Sequence, residues 1–159
     1  MRRFTPVELA LGFALVGSTL GVAIPTFARE VHASRLVEPE DGLARLGAST
    51  VAYVEAQGRL PDPAPMTPAV PPRGKKEVDP PGTWDTPAWR ALDFRPAPEG
   101  SPHAFSFQLE TTPDGHFVAR ARGDLDGDGV LSLFEIRGTT RGPEGAKVDP
   151  GMYVEAELE

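Results

Sequence analysis

The chain contains no cysteine. That excludes a disulfide framework, a zinc–thiolate cluster and a thiol nucleophile. Histidine is scarce, with only His32, His103 and His116, and these are scattered along the chain. No HExxH, GxSxG or phosphate-cradling glycine loop occurs. His103 and His116 read as solvent-facing strand residues. Acidic pairs are too numerous for two of them to stand out as glycosidase acids. The residues therefore predict a non-enzyme. Basic charge is also in short supply, with 16 Lys and Arg against 23 Asp and Glu. Setting aside Arg2, Arg3 and Glu8 leaves 14 basic against 22 acidic residues, a net charge of −8. Such a surface repels phosphate backbones and argues against nucleic acid as a partner, while cations remain plausible ligands.

Charge is absent altogether from Leu9 to Ala28, a run of 20 residues. At about 1.5 Å per residue this run spans roughly 30 Å, the thickness of a bilayer core. Arg2 and Arg3 precede it, and the positive-inside bias places everything after residue 28 on the far side. Gly12, Gly17 and Gly21, with Ala10, Ala14 and Ser18 nearby, suit close helix–helix approach in lipid. A membrane anchor fits this pattern. So does a secretory signal cleaved after Thr26-Phe27-Ala28. Glu8 stands at the mouth of the run. A carboxylate near hydrocarbon needs a partner, which is Arg2, Arg3 or a charge on another chain. The plainer alternative is that Glu8 is wet at headgroup level.

The stretch FTPVELALGFALVGSTLGVAIPTF resembles the N-terminal segment of type IV pilins and type II secretion pseudopilins. Phe4, Thr5, Glu8 and Pro25 fall at that family's spacing, and the resemblance covers roughly residues 4–60. It implies a leader removed before Phe4 and a methylated Phe4 amine. It also implies that Glu8 neutralises that amine on an adjacent subunit, with the apolar helices packed as a filament core. The implied partners are other pilin or pseudopilin subunits, an inner-membrane assembly platform and membrane lipid. The implied location is the bacterial inner membrane with a periplasmic head, or an extracellular pilus after assembly. Arg3 stands where the family's leader ends in Gly, and Pro6 replaces an aliphatic residue. Proline is at home in a first helical turn. Without cleavage, Arg3 substitutes for the missing amine or the chain stays in the membrane unpolymerised.

After Pro25 the helical pattern continues. Leu36, Leu43, Leu46, Thr50 and Val54 share one face of a 3.6-residue period. Pro39 and Gly42 interrupt it, predicting a kink or short break at Glu38-Pro39. The helix is expected to stop near Gln57-Gly58. A Pro-rich loop follows, with Arg73, Lys75 and Lys76 as a small basic spot. It reads as a linker, with an SH3-type ligand as the alternative. Thr86-Pro87 predicts a helical turn over 88–92. Trp84, Trp89, Leu92 and Phe94 are expected to seal the core edge rather than form a binding platform. Strands are predicted over 103–111, 116–122, 130–136 and 152–158 from their alternation. In the third, Leu131, Leu133 and Phe134 are the inward candidates. The predicted class is α+β: a long N-terminal helix, its first half membrane-spanning, on a small antiparallel pilin-like head. The segments are leader 1–3, assembly helix 4–28, amphipathic helix 29–58, Pro-rich and aromatic loop 59–102, and sheet head 103–159.

The stretch GDLDGDGVLSLFE carries a second signal. Asp124, Asp126, Asp128, Gly129 and Glu135 fit D-x-D-x-D-G-x5-E, the 12-residue calcium loop. Alternating Asp side chains around a tight turn offer three carboxylates. The Val130 carbonyl can face inward, Ser132 can hold a water and Glu135 can close the site. Both flanks read as strands rather than the helices of an EF-hand, so the three Asp are favoured as ligands over Glu135. A plain Gly/Asp hairpin turn is the alternative. Some pseudopilin heads hold calcium near their C-terminal loops, which the resemblance extends here. The rival to the pilin reading is a secreted or periplasmic calcium-binding domain with a cleaved signal peptide.

Overall fold

The computed structural model describes residues 5–142 and 145–156 and, within them, every side chain except those of 9, 25–35 and 141–142. Met1–Leu36 and Val37–Glu159 form separate compact units. The helix α1 (Pro6–Gln57) supplies the described part of the first unit apart from Thr5 and begins the second. It ends where Gly58 takes φ +67°, a left-handed stop that glycine adopts without strain. It passes through Pro39 without the expected break. The Pro39 ring is buried, and its neighbour Glu38 is anchored at the start of the sheet. Glu38 Oε1 accepts the N–H groups of Ala104 (2.6 Å) and Phe105 (3.1 Å), and Oε2 pairs with Lys76 Nζ at 2.9 Å. Tertiary anchoring thus offsets the hydrogen bond that proline cannot make.

Among its described residues the second unit carries six strands rather than three or four. They are β1 (Ala64–Thr67), β2 (Phe105–Thr111), β3 (His116–Gly123), β4 (Ser132–Gly142), β5 (Gly145–Val148) and β6 (Tyr153–Glu155). All pairings are antiparallel, in the order β1-β2-β3-β4-β5, with β6 also on β4. The class is α+β. β1 lies inside the Pro-rich stretch, read as loop from its sequence. As an edge strand it tolerates the missing N–H groups of neighbouring prolines. The short helix α2 (Pro87–Ala91) starts from the Thr86 cap, whose Oγ1 accepts from the Trp89 N–H.

One sheet face is buried. Phe105, Phe107 and Leu109 of β2 and Phe117, Ala119 and Ala121 of β3 line it, with Leu43 and Leu46 of α1 also in the core. Cross-strand pairing fixes β4: Ala121 faces Phe134 and Ala119 faces Ile136, so Phe134 and Ile136 point inward. Of the three inward candidates Phe134 is buried as expected, whereas Leu131 is exposed and Leu133 half-buried. Aromatic side chains fill holes left by glycines. Phe105 pairs across strands with Gly123, and Phe117 with Gly138. A Cβ at either glycine would collide with the opposing ring. Gly42 on α1 makes the same room for Phe107. Trp84, Trp89 and Phe94 continue the core through tilted and edge-on ring contacts, with centroids 5.2 Å apart for Trp84–Trp89 and 5.4 Å for both Trp89–Phe94 and Phe94–Phe107. They are core residues.

Candidate functional site

The apolar part of α1, Pro6–Ile24, is long and apolar enough to cross a membrane. Its described side chains are exposed, Phe13 at 77%. The polar side chains within it are satisfied locally: Ser18 and Thr19 hydroxyls donate to the Leu15 carbonyl at 3.0 and 2.8 Å. Among the described residues, a Cβ on Gly12, Gly17 or Gly21 would meet nothing within 4 Å. These positions therefore leave the backbone open to close approach by another helix.

Glu8 closes the start of this helix. The Thr5 N–H donates to Glu8 Oε2 at 2.7 Å, the Thr5 hydroxyl donates to the same oxygen at 3.0 Å, and the Glu8 N–H donates back to Thr5 Oγ1 at 3.3 Å. This is a capping box, in which two otherwise orphaned donors are satisfied reciprocally. The sequence pattern Thr5-x-x-Glu8 carries that signal, and the reading of Glu8 as a contact passed over it. Phe4, together with the leader at 1–3, lies outside the described residues. Pro25 lies within α1.

The acidic loop joins β3 to β4. Gly127 at φ +86° and Gly129 at φ +96° turn the chain in a conformation that glycine adopts freely. Each Asp braces the turn. Asp124 Oδ1 accepts from the Gly127 N–H (2.8 Å), Asp126 Oδ1 from Asp128 N–H (3.1 Å) and Asp128 Oδ1 from Val130 N–H (2.7 Å). One carboxylate oxygen from each lies within 4.8 Å of the others. Asp126 and Asp128 are exposed, whereas Asp124 is buried and, among the described residues, its Oδ2 accepts no hydrogen bond.

Glu135 does not join this group. β4 begins at Ser132 and carries Glu135 about 10 Å onward at the rise of a strand. Its two oxygens are taken: Oε2 by Arg120 Nε and Oε1 by Arg137 Nε, both at 2.7 Å. Arg120 also pairs with Glu110 at 2.6 Å, forming a charged row across β2, β3 and β4. Ser132 is likewise committed, donating to the Gly123 carbonyl at 3.0 Å. Burial pushes the Glu135 carboxyl up, but the hydrogen bonds and charges of Arg137 and Arg120 outweigh it and hold it below the ordinary range. A depressed carboxylate stabilises the fold above its unfolded pKa of about 4.3, and that contribution fades as pH falls through the folded value. Glu135→Gln is therefore expected to cost about 1–3 kcal/mol at neutral pH. The gap to wild type should narrow in melts as pH falls below the unfolded value and through the lowered folded one. Parallel stability curves across the range would remove this role.

His103 departs from the solvent-facing expectation. It is buried, its Nε2 lies 2.6 Å from Asp79 Oδ2, and its Nδ1 lies 2.9 Å from the Phe105 carbonyl oxygen. Trp84 Nε1 donates to the same Asp79 oxygen at 2.5 Å. Sequence reasoning missed this network because Asp79 sits in the Pro-rich loop. The loop is brought in by the backbone pairing of Glu77 with His103. Both ring nitrogens are engaged in the fold, so this histidine holds the Pro-rich loop to the sheet. His116 is exposed, 3.8 Å from Asp114.

No family model, curated protein or solved structure matches the chain.

Proposed function

We propose that the chain is a type IV pilin-like or pseudopilin subunit. It is anchored in a bacterial inner membrane by the apolar half of α1, carries its head on the periplasmic side, and assembles with other subunits through packed apolar helices and Glu8. Its activity is structural rather than catalytic, and its partners are other subunits, an assembly platform and lipid. The observation that carries this reading is the helix. Pro6–Ile24 is apolar with exposed side chains, open at three glycines and headed by a single acid. Farther along the same helix, Leu43, Leu46 and Thr50 are buried in the head core. The spacing of Phe4, Thr5, Glu8 and Pro25 agrees with it.

We further propose that Asp124, Asp126 and Asp128 hold a calcium ion. All the donors are hard oxygens, which calcium prefers, and Asp124 brings a buried oxygen with no hydrogen bond. The ion would supply charge neutralisation for three carboxylates gathered on one turn. This site also favours a second reading, a secreted calcium-binding module whose first 28 residues are removed.

Mass spectrometry of the natural N-terminus separates the readings. A membrane-associated chain beginning at Phe4 is expected. A start at Arg29 would leave the secreted module, and an intact Met1 a stationary anchor.

A further inference from the structure

The basic spot of the Pro-rich loop lies against the acidic loop. Arg73 and Asp124 form an isolated backbone bridge, and the Gly74 N–H donates to the Asp124 carbonyl at 2.8 Å. The contact is tight: a Cβ on Gly74 would lie 3.3 Å from the Asp126 carbonyl oxygen. Backbone pairing therefore fixes where the Arg73 side chain starts. Its Nη2 lies 3.8 Å from where a Cβ of Gly129 would stand, so the guanidinium covers the last glycine of the turn. Its Nε stands 3.6 Å from Asp124 Oδ2, the buried oxygen that accepts no hydrogen bond. At that separation charge attracts charge without a hydrogen bond forming. The Arg73 side chain is 68% exposed and the Asp124 side chain 1% exposed. The cation can swing into water, but the carboxylate cannot.

Resting on the reading of this loop as a cation site, we infer that Arg73 is a tethered counter-cation that competes with a divalent ion for Asp124. Without an ion it offsets the charge of the buried carboxylate. When the ion enters, Asp124 passes from guanidinium to metal and Arg73 turns to solvent. The competition weakens affinity, towards the range of about 10⁻⁴–10⁻³ M found in extracellular calcium modules.

The test is calorimetric titration of the full-length chain in detergent with calcium chloride at fixed ionic strength, and melting in chelator. Wild type, Arg73→Gln and Arg73→Lys are compared. Removing one positive charge at contact range should tighten calcium binding about threefold to tenfold, after allowance for the exposure of the arginine. Arg73→Gln should also melt lower than wild type in chelator, and Arg73→Lys should stay near wild-type affinity. Binding by Arg73→Gln alone supports the inference in its strongest form. Wild-type binding with equal or weaker affinity in Arg73→Gln overturns the inference while leaving the site. Binding by neither protein overturns both.

Discussion

Trp89→Ala is expected to cost the head about 3–5 kcal/mol, a large part of what holds a domain of this size together. The side chain is fully buried and packs against the rings of both Trp84 and Phe94, which also meet each other edge-on. Its Nε1 donates to Thr67 Oγ1 at 2.8 Å, tying α2 to the edge strand β1. Truncation therefore removes apolar area, leaves a cavity among rings and cuts the link to β1. Trp89→Phe separates these contributions. It keeps most of the ring contact, loses the donor and leaves a smaller gap, so its cost should be less than half as large. Denaturant unfolding followed by near-ultraviolet dichroism measures both. A Trp89→Ala head within 1 kcal/mol of wild type, on the order of a surface substitution, would mean that the aromatic segment is peripheral to the core.

That segment was legible because aromatic density and the Thr86-Pro87 start are local signals. So were β2 and β3, whose period-two alternation reflects a sheet with one buried face. The register of β4 was hidden for a physical reason. Val130 and Leu131 are apolar yet exposed, being the exit of the acidic turn rather than strand. The inward set is chosen instead by pairing with Ala119 and Ala121, a contact between strands that no single-strand pattern contains. β1 was hidden by Pro65 within it and the prolines on either side, and His103 by a partner that only the folded loop supplies. The three aspartates were legible as a cluster, since spacing alone gathers them. Glu135 fitted the same pattern. Its place was decided by the strand after the turn and by Arg120 across it, neither of which the motif encodes.

If the chain is the pilin-like subunit proposed above, Glu8→Gln is expected to abolish incorporation into filaments while leaving the chain helical and in the membrane. The capping box sharpens this test. Glu8 has a local role through Oε2, and that role needs only an acceptor, which glutamine also provides. The bonds from the neutral Thr5 groups leave the negative charge itself uncompensated. Near hydrocarbon such a charge costs several kcal/mol unless a cation meets it. Residues 5–8 supply no cation, so the proposed source is the terminal amine or basic leader of a neighbouring subunit. Glu8→Ala removes both cap and charge, and about 1 kcal/mol of its effect belongs to the helix start alone. The two variants should therefore fail equally in assembly but differ in helix content by dichroism in micelles. If Glu8→Gln assembles like wild type and only Glu8→Ala fails, the acid is a cap and nothing more. The filament reading would then rest on the glycines and apolar surface of α1 alone.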